Sequence, residues 1–157
     1  MKYIDLKDYK NGWVFRHQDL PLSDDDLAGI KPLGAQMAGD IWRTYISAEA
    51  VGVESFDKND WPAKESSWCE SADWQTAWED DAVDLPAELQ AFIDWQPETL
   101  VYFCFDAEHV IETRWAIFRR AWKNFLFFDD GPILIGKKRP QAVQFFSDGQ
   151  LKLGKRT

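Results

Sequence analysis

Cysteine and histidine are scarce in this sequence, with two of each in 157 residues. Cys69 and Cys104 are far apart and lack Cys-x-x-Cys spacing, which excludes a disulfide framework and the usual zinc motifs. The sequence also lacks a His-x-x-x-His pair, a glycine-rich phosphate loop and a Gly-x-Ser-x-Gly nucleophile motif. No recognisable catalytic signature therefore remains.

Long apolar runs are also missing. The longest, Leu100–Phe105, has the length of a strand and is far shorter than the roughly 18 residues that a membrane helix needs. The first residues are charged from Lys2 onward and lack the apolar core of a secretory signal. We therefore expect a cytoplasmic protein without membrane contact. No linker rich in Gly, Pro or Ser interrupts the chain, so we expect a single domain over residues 1–157.

Aromatic and acidic residues are abundant. Nine Trp and eleven Phe supply bulky side chains for a core, and the net charge is −9. The charge is uneven: residues 1–98 carry 8 Lys/Arg and 21 Asp/Glu, whereas residues 99–157 carry 10 and 6. This asymmetry predicts an acidic layer packed on a mildly basic sheet, since oppositely charged layers attract each other. A nucleic-acid-binding C-terminal part would give the same asymmetry.

Helical patterns dominate the N-terminal part. Ser23 precedes three aspartates, which is typical of a helix N-cap, and Pro32 is expected to end that short helix. Apolar residues recur with helical spacing over Ala35–Ala50. Two further short helices are expected, one near Trp74 and one beginning at Pro86. This part is therefore predicted to form a mainly helical layer.

Strand patterns dominate the C-terminal part. Leu100–Phe105 is apolar at every position, as expected of a strand that is covered on both sides. The three-and-four spacing of aromatic residues predicts a helix over Thr113–Lys123. The remaining strands are predicted at Phe125–Phe128, Ile133–Ile135, Ala142–Phe146 and Leu151–Leu153. We thus predict an α+β fold, with a helical N-terminal half packed on a mostly antiparallel sheet: a β-α-β unit followed by a β-meander.

Two stretches of the N-terminal part show no helical period. Gly12–Gln18 is predicted to be a short strand or extended chain. Residues 51–72 are predicted to be a loop with irregular turns.

Three motifs point to a known family. They are Trp13–Pro21, Val101–Cys104 and, above all, Trp122–Pro132. These motifs resemble a bacterial family catalogued as a domain of unknown function, DUF2947. The resemblance covers nearly the whole chain and implies a bacterial protein, but it implies no activity, cofactor or functional residue.

The segment 61–98 combines five tryptophans with ten acidic residues. Aromatic rings beside carboxylates attract cations, and tryptophan is enriched at the centres of protein interfaces. A partner-binding surface is therefore predicted at Trp61, Trp68, Trp74, Trp78, Glu79, Asp80 and Asp81. The alternative is that the rings pack against the sheet while the acids are solvated. The leading functional hypothesis is a non-catalytic protein-interaction or regulatory module, with an immunity protein for a basic toxin as one form of it.

A second hypothesis is metal-assisted hydrolysis. His109, Glu112, Asp129 and Asp130 flank the two ends of the predicted β-α-β unit, and such side chains suit divalent metals. Against this, Asp129–Pro132 is already explained as a turn, so we assign no metal and expect no cofactor.

A third hypothesis is anion binding. It involves two short groups of residues: Arg16 and His17 in the first, and Lys137, Lys138 and Arg139 in the second. With the basic edge of the meander, the second group suggests nucleic-acid binding. However, lysines in hairpin loops are common guards of sheet edges, and the acidic part of the chain would repel a nucleic acid.

Overall fold

The computed structural model describes residues 2–156. Within this range the strands are β1 (Lys31–Pro32), β2 (Trp68–Asp73), β3 (Leu100–Asp106), β4 (His109–Arg114), β5 (Ile133–Gly136), β6 (Gln141–Phe145) and β7 (Gln150–Lys155). They form one sheet in the order β1-β4-β3-β5-β6-β7-β2, and every pair of neighbours is antiparallel.

The α-helices are α1 (Asp24–Ala28), α2 (Ala35–Tyr45), α3 (Gln75–Glu79), α4 (Ala87–Phe92) and α5 (Trp115–Phe125). Short 3-10 helices lie at Leu6–Asp8, Gly12–Arg16, Val53–Ser55, Trp61–Ala63 and Glu65–Ser67. The predicted α+β class is confirmed. None of the helices within residues 2–156 is long and apolar enough to cross a membrane.

Helices cover both faces of the sheet. Val101 and Phe103 of β3 point to the face that packs on α5, where Trp122 is fully buried. Tyr102 and Cys104 alternate with them and point to the other face, which α2 covers. Because both faces are buried, β3 is apolar at successive positions, as its sequence predicts.

Helix α1 is fixed by its N-cap and by an ion pair. The Ser23 hydroxyl oxygen accepts a hydrogen bond from the Asp26 amide at 3.1 Å, which confirms the predicted cap. The Asp26 carboxylate then accepts two hydrogen bonds from the Arg120 guanidinium, at 2.7 and 3.0 Å. Arg120 holds the pKa of Asp26 below its usual value. This ion pair joins α1 to α5.

Replacing Arg120 with glutamine is expected to make the free energy of unfolding depend less on pH in the acid range. Because the pKa of Asp26 is lowered in the folded state, the ion pair stabilises the fold above the unfolded pKa of about 3.9. That stabilisation is lost as the pH falls through the folded pKa of Asp26. Urea unfolding should therefore show Arg120→Gln less stable than the wild type at about pH 7, with a smaller difference near pH 2.

Arg119 provides the control, because it neighbours Arg120 on α5 and forms no ion pair with any described residue. Arg119→Gln should show no such pH-dependent difference. A deficit of Arg120→Gln that stays constant across this pH range would contradict the assignment.

The chain before α5 differs from the prediction. Residues 109–114 form β4, which pairs with β3 as a hairpin, so that α5 begins at Trp115 rather than Thr113. In the turn, the Asp106 carboxylate accepts a hydrogen bond from the Glu108 amide at 2.8 Å. This turn lacks the glycine by which a tight hairpin is usually predicted, and Asp106 is its one turn-favouring residue.

The chain after α5 also differs. Helix α5 continues to Phe125, and Phe127 and Phe128 lie in the turn that follows it. The predicted strand over residues 125–128 is therefore wrong. A run of four apolar residues fits a buried helix end as well as a strand, which explains the error.

Three N-terminal predictions are corrected as well. Gly12–Arg16 forms a 3-10 helix instead of a strand. The predicted loop over 51–72 contains most of β2, which pairs with β7 at the sheet edge. β2 is mostly exposed and therefore has no apolar alternation to reveal it. Helix α2 ends at Tyr45, five residues before the predicted end.

Candidate functional site

A cleft lies at one end of the sheet. The β3–β4 turn and the loop after α5 meet there, because Cys104 of β3 pairs with Ile133 of β5. The cleft has a volume of about 670 Å³. It is lined by Lys10, Asn11, Val51, Val53, Glu54, Phe105, Asp106, Ala107, Glu108, His109, Phe127, Phe128, Asp129 and Asp130.

Aromatic rings form one wall of the cleft. Trp13 packs on Phe127 and Phe128, with ring centroids 5.6 and 5.9 Å apart, and Phe105 meets Phe128 edge-on. Trp13 is nevertheless 49% exposed, and Val51 on the lining is 68% exposed. Among the described residues only one other large apolar side chain, Val83, is exposed to this degree. Exposed apolar surface is therefore concentrated at the cleft.

Carboxylates surround this aromatic wall. Five acidic side chains line the cleft, against one lysine: Glu54, Asp106, Glu108, Asp129 and Asp130. Burial raises the pKa of the Asp129 carboxyl, and the neighbouring charge of Asp130 acts in the same direction. The lining therefore combines apolar surface with excess negative charge.

His109 is held in this lining by Asp106. Its Nδ1 lies 2.8 Å from the Asp106 carboxylate oxygen, which fixes the orientation of the imidazole ring. Tyr9 is buried nearby, beside the Asn11 side chain of the lining. Burial raises the pKa of Tyr9 to about 12, and the charge of Asp106 adds to that effect. Tyr9 therefore stays neutral.

The structure brings together three of the four predicted metal ligands. His109, Asp129 and Asp130 all line the cleft, but Glu112 does not. Glu112 lies three residues after His109 on β4, so its side chain points to the opposite face of the sheet. There its carboxylate accepts a hydrogen bond from the Tyr3 hydroxyl at 2.9 Å. The expected convergence of Glu112 with the other three is therefore wrong.

No metal-binding cluster is found in the described part of the chain. Residues 2–156, the cleft included, contain no group of three or more His, Cys, Asp or Glu side chains placed to hold a metal ion.

The predicted tryptophan surface is largely internal. Trp61 and Trp74 are buried, so the prediction that these two rings face a partner is wrong. Their indole N–H groups donate to the carbonyls of Tyr45 and Phe146. Trp68 and Trp78 are half-buried and likewise donate to backbone carbonyls. These rings support the fold, which agrees with the alternative interpretation of the sequence.

The acidic residues of that predicted surface do face solvent. Glu79, Asp80 and Asp81 are exposed, whereas the backbone of their loop is tied to α5. The buried Lys123 ammonium donates to the carbonyls of Asp80 and Ala82, the latter at 2.8 Å. These acids therefore present charge outside the cleft lining, although the preceding Trp78 ring packs edge-on against Phe127 of the cleft.

The two predicted anion-binding groups lie at different ends of the sheet. The His17 ring stacks on Phe127 at 5.2 Å, close to Arg16 and the cleft. Its Nδ1 accepts a hydrogen bond from the Asp19 amide at 3.2 Å. Lys137, Lys138 and Arg139 follow Gly136, which pairs with Val101 at the far end of β3. The two groups do not form one site.

A family model matches residues 3–154 of the chain. The chain belongs to that family, which is described as Protein of unknown function (DUF2947). The resemblance seen in the sequence motifs is thereby confirmed. No curated protein and no solved structure matches the DUF2947 chain. The matched range includes every segment that lines the cleft.

The aromatic part of the DUF2947 cleft is absent from the sequence-based predictions. They place Phe127 and Phe128 in a strand, and Trp13 in an extended segment without a role. A usable signal exists in the order Phe127-Phe128-Asp129-Asp130, two aromatic residues followed by two acids directly after a helix. Glu54 has no such signal, because its loop reaches the cleft only through the tertiary fold.

Proposed function

We propose that this protein is a non-catalytic protein-interaction module, and that its docking surface is the cleft together with Trp13. The observation that carries the proposal is the position of the exposed apolar side chains. Two of the three in the described chain, Trp13 and Val51, lie at this one cleft. Exposed apolar surface beside a polar rim is typical of interaction sites.

Trp13 is the expected energetic centre of this surface. Tryptophan is enriched among the residues whose truncation costs an interface at least about 2 kcal/mol. The ring is held in place by Phe127 and Phe128, so a partner covers it without first having to order it. The interaction surface thus differs from the predicted one, which was centred on the tryptophans of residues 61–81.

Replacing Trp13 with alanine is expected to weaken partner binding strongly while the protein stays folded. A photoreactive residue at Val51 would crosslink a partner in cell extract, and mass spectrometry would identify it. Binding of the purified partner to the uncrosslinked protein would then be measured by calorimetry. We expect Trp13→Ala to weaken that binding at least about 30-fold, which corresponds to the loss of about 2 kcal/mol.

Val83→Ala is the matched control, because Val83 is 53% exposed but lies outside the cleft. It should bind the partner as the wild type does. Equal affinity of wild type and Trp13→Ala, with unchanged circular dichroism spectra, would refute the proposed docking surface.

A further inference from the structure

The cleft continues into a second cavity. This second cavity has a volume of about 400 Å³ and shares Val53, Glu54 and Asp130 with the cleft. It extends along the sheet end to Phe146 and Asp148. We call the two cavities together the acidic groove. Its two adjoining parts suit an extended segment of chain better than a single inserted side chain.

Most acidic side chains of the C-terminal part of the chain line the acidic groove. Residues 99–157 carry a net positive charge, with 10 Lys/Arg and 6 Asp/Glu. None of those ten basic residues lines the groove, whereas five of the six acidic ones do: Asp106, Glu108, Asp129, Asp130 and Asp148. Glu54 adds a sixth carboxylate from the other part of the chain, and Lys10 is the one lysine or arginine of the lining.

The carboxylates of the groove are poorly compensated within the described chain. None of them forms an ion pair with a lysine or arginine among residues 2–156, and Asp106 is hydrogen-bonded to His109 at 2.8 Å. The raised pKa of Asp129 reflects burial and the like charge of Asp130. Adjacent like charges disfavour each other, so a cationic occupant would relieve the repulsion as well as form new ion pairs.

The aromatic wall indicates which kind of cation would bind in the groove. Lys and Arg side chains combine a charged head with an apolar stem that packs on apolar surface. Their heads are also attracted to the faces of aromatic rings, with about 0.5–1 kcal/mol for exposed contacts. Phe127 and Phe128 lie in the lining next to the carboxylates of Asp129 and Asp130, with one face of Phe127 covered by the stacked His17 ring. The lining therefore matches basic side chains better than small hydrated ions.

We infer that the partner docks through an extended segment rich in lysine and arginine, which lies along the acidic groove with its stems against the aromatic wall. This inference rests on the proposed function, since it names the chemistry of the partner at the same surface. The exposed acids at residues 79–81 do not line the groove and do not take part.

The test uses a blocked hexa-arginine peptide as probe and calorimetry as the measurement. The wild-type protein should bind the probe, and raising the salt concentration to about 0.5 M should weaken binding because the added ions screen the charges. The double variant Asp129→Asn/Asp130→Asn should bind at least about tenfold more weakly. The variant should melt at the same or a higher temperature than the wild type, because the like-charge repulsion has been removed.

The control is Asp80→Asn/Asp81→Asn, which makes the same change of net charge at the exposed loop away from the groove. It should bind the probe within about twofold of the wild type. Equal weakening by both double variants would show attraction to net charge only, and would overturn the inference. Absence of binding to the wild type, or equal binding of a blocked hexa-glutamate peptide, would also overturn it.

These outcomes are separable from those of the proposed function. A partner whose capture depends on Trp13, while hexa-arginine fails to bind, refutes the basic segment and supports the docking surface. Groove-dependent binding of hexa-arginine, together with partner capture that ignores Trp13, refutes the docking surface and supports the groove's preference for basic chains.

Discussion

Replacing Trp122 with alanine is expected to lower the free energy of unfolding by about 3–5 kcal/mol, the usual cost of truncating a large buried aromatic side chain. Trp122 is 0% exposed and lies in the core between α5 and the sheet. Its indole N–H also donates to the Val83 carbonyl at 2.8 Å, so the variant loses a hydrogen bond in addition to packing. Urea unfolding followed by circular dichroism measures the effect.

Trp13→Ala is the matched control for this experiment, since it makes the same substitution at the exposed tryptophan. Its cost should be well below that of Trp122→Ala, because the ring is half exposed and leaves no enclosed cavity. If Trp122→Ala lowered stability by less than about 1 kcal/mol, the proposed assignment of tryptophans to scaffold and surface would be wrong.

The expected contrast follows from how the indole groups are used. Seven of the nine tryptophans donate their N–H to an oxygen in the described chain: Trp42, Trp61, Trp68, Trp74, Trp78, Trp95 and Trp122. Six of those acceptors are backbone carbonyls. Trp therefore acts here as a large apolar side chain that also donates to carbonyls of loops and helix ends, a hydrogen bond that a phenylalanine in its place could not form.

The sequence predicts an element correctly where the pattern reflects interactions within a short segment. Ser23 caps α1 as expected, and the apolar run Leu100–Phe105 of β3 lies inside the sheet between two paired neighbours. The predictions were wrong where pairing with a distant strand determines whether a segment becomes a strand. The exposed edge strand β2 forms because β7 offers it hydrogen bonds, and β4 forms across a turn without glycine. Neither strand has the apolar alternation that identifies a strand from sequence alone, and no glycine marks the turn before β4.

The same distinction applies to the site. The sequence suggests that His109, Asp129 and Asp130 meet, and they do so because the β3–β4 hairpin and the return of the chain through α5 place the starts of β4 and β5 at the same end of the sheet. The face of the sheet on which Glu112 lies depends on the strand register, which the sequence of β4 does not reveal. Whether a tryptophan is buried depends on distant carbonyls such as those of Phe146 and Lys123. The amino-acid composition of a segment therefore does not show which of its side chains lie on the protein surface.

The segment that carries Trp13 is held by a residue of α5. The Asn124 side chain is buried and donates its amide hydrogens to the carbonyls of Val14 and Leu20, at 2.8 and 3.1 Å. These bonds fix the segment that begins at Trp13. The scaffold and the proposed docking surface are thus coupled through one amide group.

Replacing Asn124 with leucine is expected to lower the free energy of unfolding by about 2–5 kcal/mol. Leucine fills a similar volume but leaves the two carbonyls without their donor, and each orphaned buried group costs roughly 1–3 kcal/mol. Because the lost bonds hold residues 14–20, hydrogen exchange should accelerate there before it changes in the central strands. Urea unfolding and exchange measured by mass spectrometry provide the two readouts.

Asn59→Leu is the control, since Asn59 is exposed and its side chain forms no hydrogen bond to any described residue. It should change the free energy of unfolding by no more than about 0.5 kcal/mol.

An Asn124→Leu protein with wild-type hydrogen exchange over residues 14–20 would contradict the anchoring role. If the anchoring holds, the same variant should also weaken partner binding without touching a lining residue of the cleft, because Trp13 would no longer be held against Phe127 and Phe128.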